Sequence, residues 1–161
     1  MKCVVHPDPL VRKLNLSDRT AVLLIDAPPE SAPLAAALEG QLTLSAPADA
    51  ALLWATRRDR VQQLLPQLNA ALTGDAVLWI CYPKGRSKRY SADFNRDTIA
   101  EVPGAFGFEP VRQVAIDADW SALRFRRVEF VRTITRTRAV TEAGRARLRA
   151  AAASLGPVAP A

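Results

Sequence analysis

Continuously apolar segments alternate along the chain with segments of helical periodicity. The segments at 21–26 (AVLLID) and 76–82 (AVLWICY) are apolar over almost their whole length. Unbroken apolar runs of this kind are typical of strands covered on both faces, as in parallel sheets. Two shorter segments, at 41–45 (QLTLS) and 51–55 (ALLWA), are predicted to be further strands. The alternation predicts an α/β fold, a Rossmann-like three-layer sheet that is mostly parallel.

Helices are predicted between these strands from capping residues and from spacing. Ser31 is a suitable N-cap, and Gly40 a suitable end, for a short helix after the first strand. A second helix follows the strand at 51–55, and Pro66 is expected to kink or restart it. Apolar residues recur there at helical spacing, namely Val61, Leu64, Leu65, Leu68 and Leu72.

The next part of the chain predicts one helix and then a hairpin. A helix is expected at 92–102, with Ser91 as its cap and Pro103-Gly104 as its end. Two further strands are predicted at 110–116 and 122–130. The linker between them, DADWS, is too short for a crossover helix, so the two strands should be antiparallel. The sheet is therefore expected to finish with a reversed C-terminal hairpin strand.

Positive charge is concentrated at the C-terminus. Of the net charge of +6, residues 124–161 hold nine Arg against two Glu (+7), and residues 1–123 hold 13 basic against 14 acidic side chains (−1). We expect one Rossmann-like α/β domain over 1–135 and a basic, Ala/Arg-rich extension over 136–161, partly helical or disordered. The extension could bind nucleic-acid phosphates without sequence preference; an oligomer contact or a mobile end is the alternative. Its candidate residues are Arg132, Arg136, Arg138, Arg145, Arg147 and Arg149.

Composition argues against several classes of function. No apolar run approaches the ~20 residues of a membrane span, and the N-terminus has no signal-peptide pattern. Two cysteines, Cys3 and Cys81, do not make a secreted disulfide framework, so a reducing bacterial cytoplasm is expected. His6 is the only histidine, which argues against Ser-His-Asp catalysis and against a His-based metal site. Neither a catalytic constellation nor a metal is predicted.

Candidate ligand-binding residues lie in loops that follow the predicted strands. In a parallel sheet, ligands bind outside the carboxyl ends of the strands. A small anionic ligand could be held between the loop at 83–90 and the N-terminus of the following helix. The alternatives are a solvated loop, or an enzyme with an atypical cleft that uses Asp26, Lys84 and either Asp117 or Asp119. The candidate ligand residues are Asp26, Lys84, Arg86, Lys88, Arg89, Asp117 and Trp120.

Two stretches of sequence carry a family resemblance. The stretch LPQLNAALTGDAVLWICYPKG resembles the helix, loop and strand of class I S-adenosylmethionine-dependent methyltransferases, whose sheet also finishes with a reversed hairpin strand. The stretches LWICYPKGRSK, DFNRD and VRQVAIDADWSALRFR resemble a small bacterial family of unknown function, whose members are shortened methyltransferase-like domains. The resemblance covers roughly residues 10–135 and implies the fold, but it supplies no established activity.

The sequence departs from true methyltransferases where their cofactor binds. In that family the first strand leads into a glycine-rich turn, whose backbone N–H groups approach the cofactor. Here the turn is Asp26-Ala27-Pro28-Pro29-Glu30, and its two prolines lack N–H groups. Ser45-Ala46-Pro47 stands where an acidic residue normally holds the ribose, and one strand–helix unit is missing after it. We therefore expect no cofactor, and a non-catalytic binding or regulatory domain.

Overall fold

The computed structural model describes residues 6–134 and 138–154, as a central sheet with helices on both faces. Within those residues the sheet has five strands, β1 to β5, which are Val22–Ile25, Ala48–Trp54, Leu72–Pro83, Phe108–Ala115 and Trp120–Arg127. The α-helices of the same residues, α1 to α5, are Pro9–Lys13, Ala32–Ala37, Arg58–Ala71, Arg96–Gly104 and Glu142–Ser154. No helix in this part of the chain is both long and apolar enough to span a membrane.

The strand order is β1-β2-β3-β5-β4, with β1, β2 and β3 parallel. Strand β5 is antiparallel to both of its neighbours, β3 and β4. One row across the sheet pairs Leu24 with Leu52, Leu52 with Trp79, and Trp79 with Arg124. This topology confirms the predicted α/β fold, with its mostly parallel sheet and its reversed C-terminal hairpin strand.

Each face of the sheet has its own hydrophobic core. On one face, α3 buries Val61, Leu65 and Leu68, which are four and three residues apart and so share one side of the helix. On the other face, α1 and α2 pack over β2 and β3. There the fully buried Trp79 donates from Nε1 to the Leu14 carbonyl over 2.8 Å, which fastens the N-terminal segment to the sheet.

Helices α3 and α4 differ in detail from the prediction. Helix α3 passes through Pro66 without restarting; Pro66 is exposed, so water can satisfy the carbonyl that loses its partner. Helix α4 begins at Arg96 rather than at 92, because Asn95 and Thr98 form a reciprocal capping box. The Asn95 side chain accepts from the N–H groups of Asp97 and Thr98 at 2.9 Å, which makes it a stronger start than Ser91.

The strand predicted at 41–45 is wrong. Only Leu42 forms an isolated parallel bridge, with Val22 of β1, and Leu44 is fully exposed. With no further strand–helix unit beyond it, this segment has only β1 to pair with and nothing to cover its apolar side chains. The other predicted strands are found, with their ends shifted by a few residues.

The C-terminal helix α5 is attached to the sheet through buried contacts. Glu109 of β4, which is fully buried, accepts from the Thr141 N–H at 2.7 Å and from the Val140 N–H at 3.2 Å. Val140 also packs against the core on the α3 side. Arg147 donates to the backbone carbonyls of Val128 and Val131. The division of the chain at residue 135 remains a prediction.

Candidate functional site

A cleft of about 450 Å³ opens where β1 and β2 end. Small-molecule sites commonly enclose roughly 300–1,000 Å³, so a cleft of this volume can accept a small ligand. Its position, outside the carboxyl ends of parallel strands, is the one predicted for an α/β sheet. Its lining residues are Asp26, Pro28, Trp54, Ala55, Thr56, Arg57, Asp59, Arg60, Gln63, Tyr90 and Trp120.

Two ion pairs form the charged rim of the cleft. Arg60 donates to both carboxylate oxygens of Asp26, from Nε at 2.8 Å and from Nη2 at 3.2 Å. Arg57 holds Asp59 in the same two-point manner, at 3.2 and 3.1 Å, and this contact lowers the pKa of Asp59. Asp26 lies in the left-handed region, with φ of 56°, an unusual conformation for a residue other than glycine. The chain therefore turns sharply at the end of β1 and presents the Asp26 carboxylate to α3.

An aromatic cluster closes the side of the cleft next to the β4–β5 hairpin. Trp120 donates from Nε1 to Glu30 Oε1 at 2.9 Å, which joins the hairpin to the turn after β1. The Tyr90 ring lies 4.8 Å from the Trp120 ring, at 45°. The Trp120 N–H is the main cause of a lowered pKa at Glu30, and Glu30 in turn raises the pKa of Tyr90. Trp120 is 3% exposed, so only its edge reaches the cleft.

Asp119 organises the loop that follows β3. Its backbone carbonyl accepts from the Lys84 N–H at 2.7 Å, and its carboxylate accepts from the Ser87 hydroxyl at 2.8 Å. The Arg89 guanidinium lies 3.6 Å from the same carboxylate and 3.8 Å from Glu30. The loop is thus folded onto the protein's own carboxylates.

The predicted ligand residues separate into three groups. Asp26 and Trp120 line the cleft, and Arg89 lies beside it against Glu30. Asp117 stabilises the hairpin turn, since its carboxylate accepts from the N–H groups of Asp119 and Trp120 at 2.8 and 2.9 Å. The remaining three lie outside the lining of the cleft, and they are Lys84, Arg86 and Lys88.

Both helix N-termini near this edge are capped by the protein itself. The Asn95 side chain occupies the first amides of α4, where an anion was expected to bind. The Arg58 N–H at the start of α3 donates to Asp93 at 2.8 Å. An anion at this edge would therefore need side-chain donors rather than free helix amides.

Arg57 and Arg60 are the two basic residues in the lining of the cleft, and the candidate ligand residues did not include them. Each uses Nε and Nη2 on its carboxylate, and its Nη1 makes no hydrogen bond to residues 6–134 or 138–154. The available signal is their position: Arg57 and Arg60 stand at the junction between a parallel strand and the helix that follows it, where ligands of such sheets bind.

Three of the arginines predicted to bind nucleic acid, Arg138, Arg145 and Arg149, border one groove between α4 and α5. Arg147 is bound to backbone carbonyls, while Arg145 and Arg149 both pair with Glu142, at 3.7 and 3.0 Å. Arg132 and Arg138 are exposed. Arg136 lies outside the described residues.

A second groove, of about 610 Å³, lies between α4 and α5. It is bordered by Arg96, Arg138, Arg145 and Arg149 together with Asp97 and Glu101. This groove has apolar residues at its base and no aromatic side chain in its lining for a base to stack on.

Comparison with known proteins gives a likeness of structure rather than of sequence. No protein-family model and no curated protein matches the sequence. Among solved structures, the mitomycin 7-O-methyltransferase MmcR aligns with 68% of the chain at a TM-score of 0.53 and 12% identity. The aligned part spans about half of that enzyme, 49% of its length.

Two other methyltransferase structures align less closely. The 1,6-didemethyltoxoflavin-N1-methyltransferase of Burkholderia thailandensis has 18% identity and a TM-score of 0.49, over 73% of this chain and 75% of its own. The N-methyltransferase NodS of Bradyrhizobium japonicum has 12% identity and a TM-score of 0.46, over 73% and 92%. Identities this low establish the fold alone, and the chain has a shortened, methyltransferase-like α/β fold.

Proposed function

We propose that this chain is a non-catalytic binding domain of the methyltransferase-like fold, whose cleft takes a small anionic ligand. The observation that carries the proposal is that the turn after β1 is engaged in contacts within the protein. Asp26 is held by Arg60, and Glu30 is held by Trp120 of the hairpin. Between them, Pro28 and Pro29 supply no backbone donors.

These contacts remove what a nucleoside cofactor needs at the turn. A cofactor bound by backbone amides requires free N–H groups and room for close approach. Here the two prolines remove two backbone N–H donors from the turn, and the Glu30 carboxylate accepts a hydrogen bond from Trp120 Nε1 at 2.9 Å. Opening it would break that hydrogen bond and expose a tryptophan that is 3% accessible. S-adenosylmethionine is therefore not expected to bind in the manner of the enzymes with this fold.

The Asp26 carboxylate of the cleft is also poorly suited to proton transfer. A general base needs a carboxylate oxygen free to accept the substrate's proton, and a carboxylate paired at two points with a guanidinium has both oxygens engaged. Asp26 is in this situation, because both of its oxygens accept from Arg60. The pairing supports binding rather than acid–base catalysis.

Arg57 and Arg60 supply the donors for an anion. Both guanidinium groups are partly exposed at the rim, and in both the Nη1 group is not used by the ion pair. A planar guanidinium matches the two oxygens of a carboxylate. The half-buried Tyr90 in the same lining offers an apolar ring surface, so the cleft suits an aromatic carboxylate.

A thermal-shift screen of aliphatic and aromatic carboxylates, followed by calorimetry of the best compound, tests the proposal. Arg57→Gln and Arg60→Gln should each weaken binding at least tenfold. Arg86→Gln, which removes an exposed arginine outside the cleft lining, is the matched control and should bind normally. Saturable micromolar binding of S-adenosylmethionine to the unmodified protein would overturn the proposal, as would carboxylate binding that both cleft variants retain.

A further inference from the structure

Four arginines converge on the sheet at the end away from the cleft. Arg124 and Arg126 lie in the second half of β5, and Arg112 is paired across strands with Arg124. Arg19 reaches the same place from the loop before β1 and donates to the Asp75 carbonyl at 3.1 Å. The group is defined here as the arginine cluster.

One carboxylate, that of Asp75, lies within the cluster and is paired with Arg126. Arg126 donates to both oxygens of Asp75, at 2.8 and 2.6 Å, and this contact is the main cause of a lowered pKa at Asp75. Four arginines against Asp75 give a local charge of +3. The neighbouring Asp49 reduces this only to +2, and its carboxylate already accepts from the N–H groups of Thr20 and Ala21 at 3.0 Å.

A neutral amide takes the place that a second counter-ion would occupy. The Asn15 side-chain oxygen accepts from Arg112 at 3.2 Å and from Arg124 at 3.4 Å. Asn15 holds this position in the left-handed region, with φ of 57°. Like charges directly opposite each other in a sheet are destabilising, so the Arg112–Arg124 pair is unfavourable without an anion nearby.

Two guanidinium donors in the cluster are buried without a hydrogen bond. They are the Nε atoms of Arg19 and Arg124, which have no partner within residues 6–134 and 138–154. A buried donor without a partner costs free energy, and a charged one costs more. Burial is also the main cause of a lowered pKa at Arg124, to which the neighbouring arginines add. Excess positive charge together with unused donors is the arrangement expected of an anion site.

We propose that the arginine cluster binds a phosphate group, with Arg19, Arg112 and Arg124 as its donors. Guanidinium groups match phosphate oxygens in geometry and in charge. A dianionic phosphate would balance most of the excess positive charge and reduce the repulsion between Arg112 and Arg124. Its oxygens would also offer acceptors to the Nε donors that lack a partner. The site goes beyond the proposed function, because it lies at the opposite end of β3 and β5 from the cleft.

Calorimetry with inorganic phosphate, at constant ionic strength maintained with chloride, tests this site. Saturable binding with one phosphate per chain is expected. Arg112→Gln should weaken it at least tenfold, and because Arg112 is exposed this variant should still fold. Arg124→Lys, which keeps the charge but loses the planar donor pair, should weaken it as well. Arg132→Gln removes an exposed arginine elsewhere and should bind phosphate like the unmodified protein.

Two competition experiments distinguish the sources from which the phosphate group could come. A nucleoside monophosphate presents a terminal dianion, whereas an oligonucleotide without a terminal phosphate presents only diesters. The proposal expects the monophosphate to compete with inorganic phosphate and the oligonucleotide to compete poorly. No saturable phosphate binding, equal binding by Arg112→Gln and Arg132→Gln, or binding of the oligonucleotide alone would each overturn it. Intact carboxylate binding at the cleft in the same samples keeps this result separate from the test of the proposed function.

Discussion

The contact between α4 and the segment before α5 allows a sharp test of how the C-terminus is attached. A Cβ atom added to Gly104 would lie 2.7 Å from the Val140 carbonyl oxygen and 2.9 Å from the Val140 side chain. Ordinary van der Waals contacts of a Cβ are 3.4–4 Å, so the segment around Val140 would have to move by a large fraction of an ångström. We predict that Gly104→Ala is destabilising for this reason.

The magnitude follows from two opposing effects. Overpacking a tight contact typically costs ~1–3 kcal/mol, while replacing glycine by alanine within a helix returns up to ~1 kcal/mol. The net loss should be about 1–2 kcal/mol of the free energy of unfolding. In a chain of this size that lowers Tm by roughly 2–8 °C.

The assay is urea unfolding followed by circular dichroism, with Gly85→Ala as the matched control. A Cβ at Gly85 meets nothing within 4 Å, so this variant should unfold like the original protein. If the strain is relieved by release of the C-terminal segment, trypsin should also cleave Gly104→Ala faster after Arg138. Equal stability of the two alanine variants, together with equal rates of cleavage, would refute the close attachment of α5 to α4.

Three further outcomes are expected. Arg60→Gln should leave Tm nearly unchanged, because its ion pair with Asp26 is partly exposed and screened by solvent, yet it should weaken carboxylate binding. Trp120→Phe should reduce the loss of stability in acid. The pKa of Glu30 in the folded protein lies below 4.5, mainly because of the Trp120 hydrogen bond. Ionised Glu30 therefore stabilises the fold above that pH, and this stabilisation is lost as the pH falls through the folded-state pKa. The Cys81 thiol, whose pKa is raised by complete burial, should react with iodoacetamide only after unfolding, as read by mass spectrometry of its peptide.

Each of these three predictions would be contradicted by a specific result. A large fall in Tm for Arg60→Gln would mean that its ion pair with Asp26 stabilises the fold. Identical acid unfolding curves for Trp120→Phe and the original protein would remove Trp120 as the cause of the shift at Glu30. Labelling of Cys81 at the same rate in the folded and the unfolded protein would contradict its burial in the core.

The location of the strands could be predicted from the sequence because burial on both faces leaves unbroken apolar runs. This applies to β2 and β3, and the short linker before β5 fixed the hairpin direction. The segment at 41–45 (QLTLS) alternates polar and apolar residues, which also suits a strand, but a strand requires a neighbour to pair with and a layer to cover it. Neither of these requirements is recorded in the local pattern.

The sequence by itself determined the α/β class, the reversed last strand and the loss of two backbone donors at the turn after β1. These follow from side-chain hydrophobicity, from the length of the linkers and from the chemistry of proline, all of which are local properties. Only the tertiary structure decided which charges meet. Asp26 and Arg60 are 34 positions apart and Glu30 and Trp120 are 90 apart, so no local pattern connects them. The cleft and the arginine cluster depend on such distant contacts, because a side chain acquires its partner only when the sheet brings separate strands together.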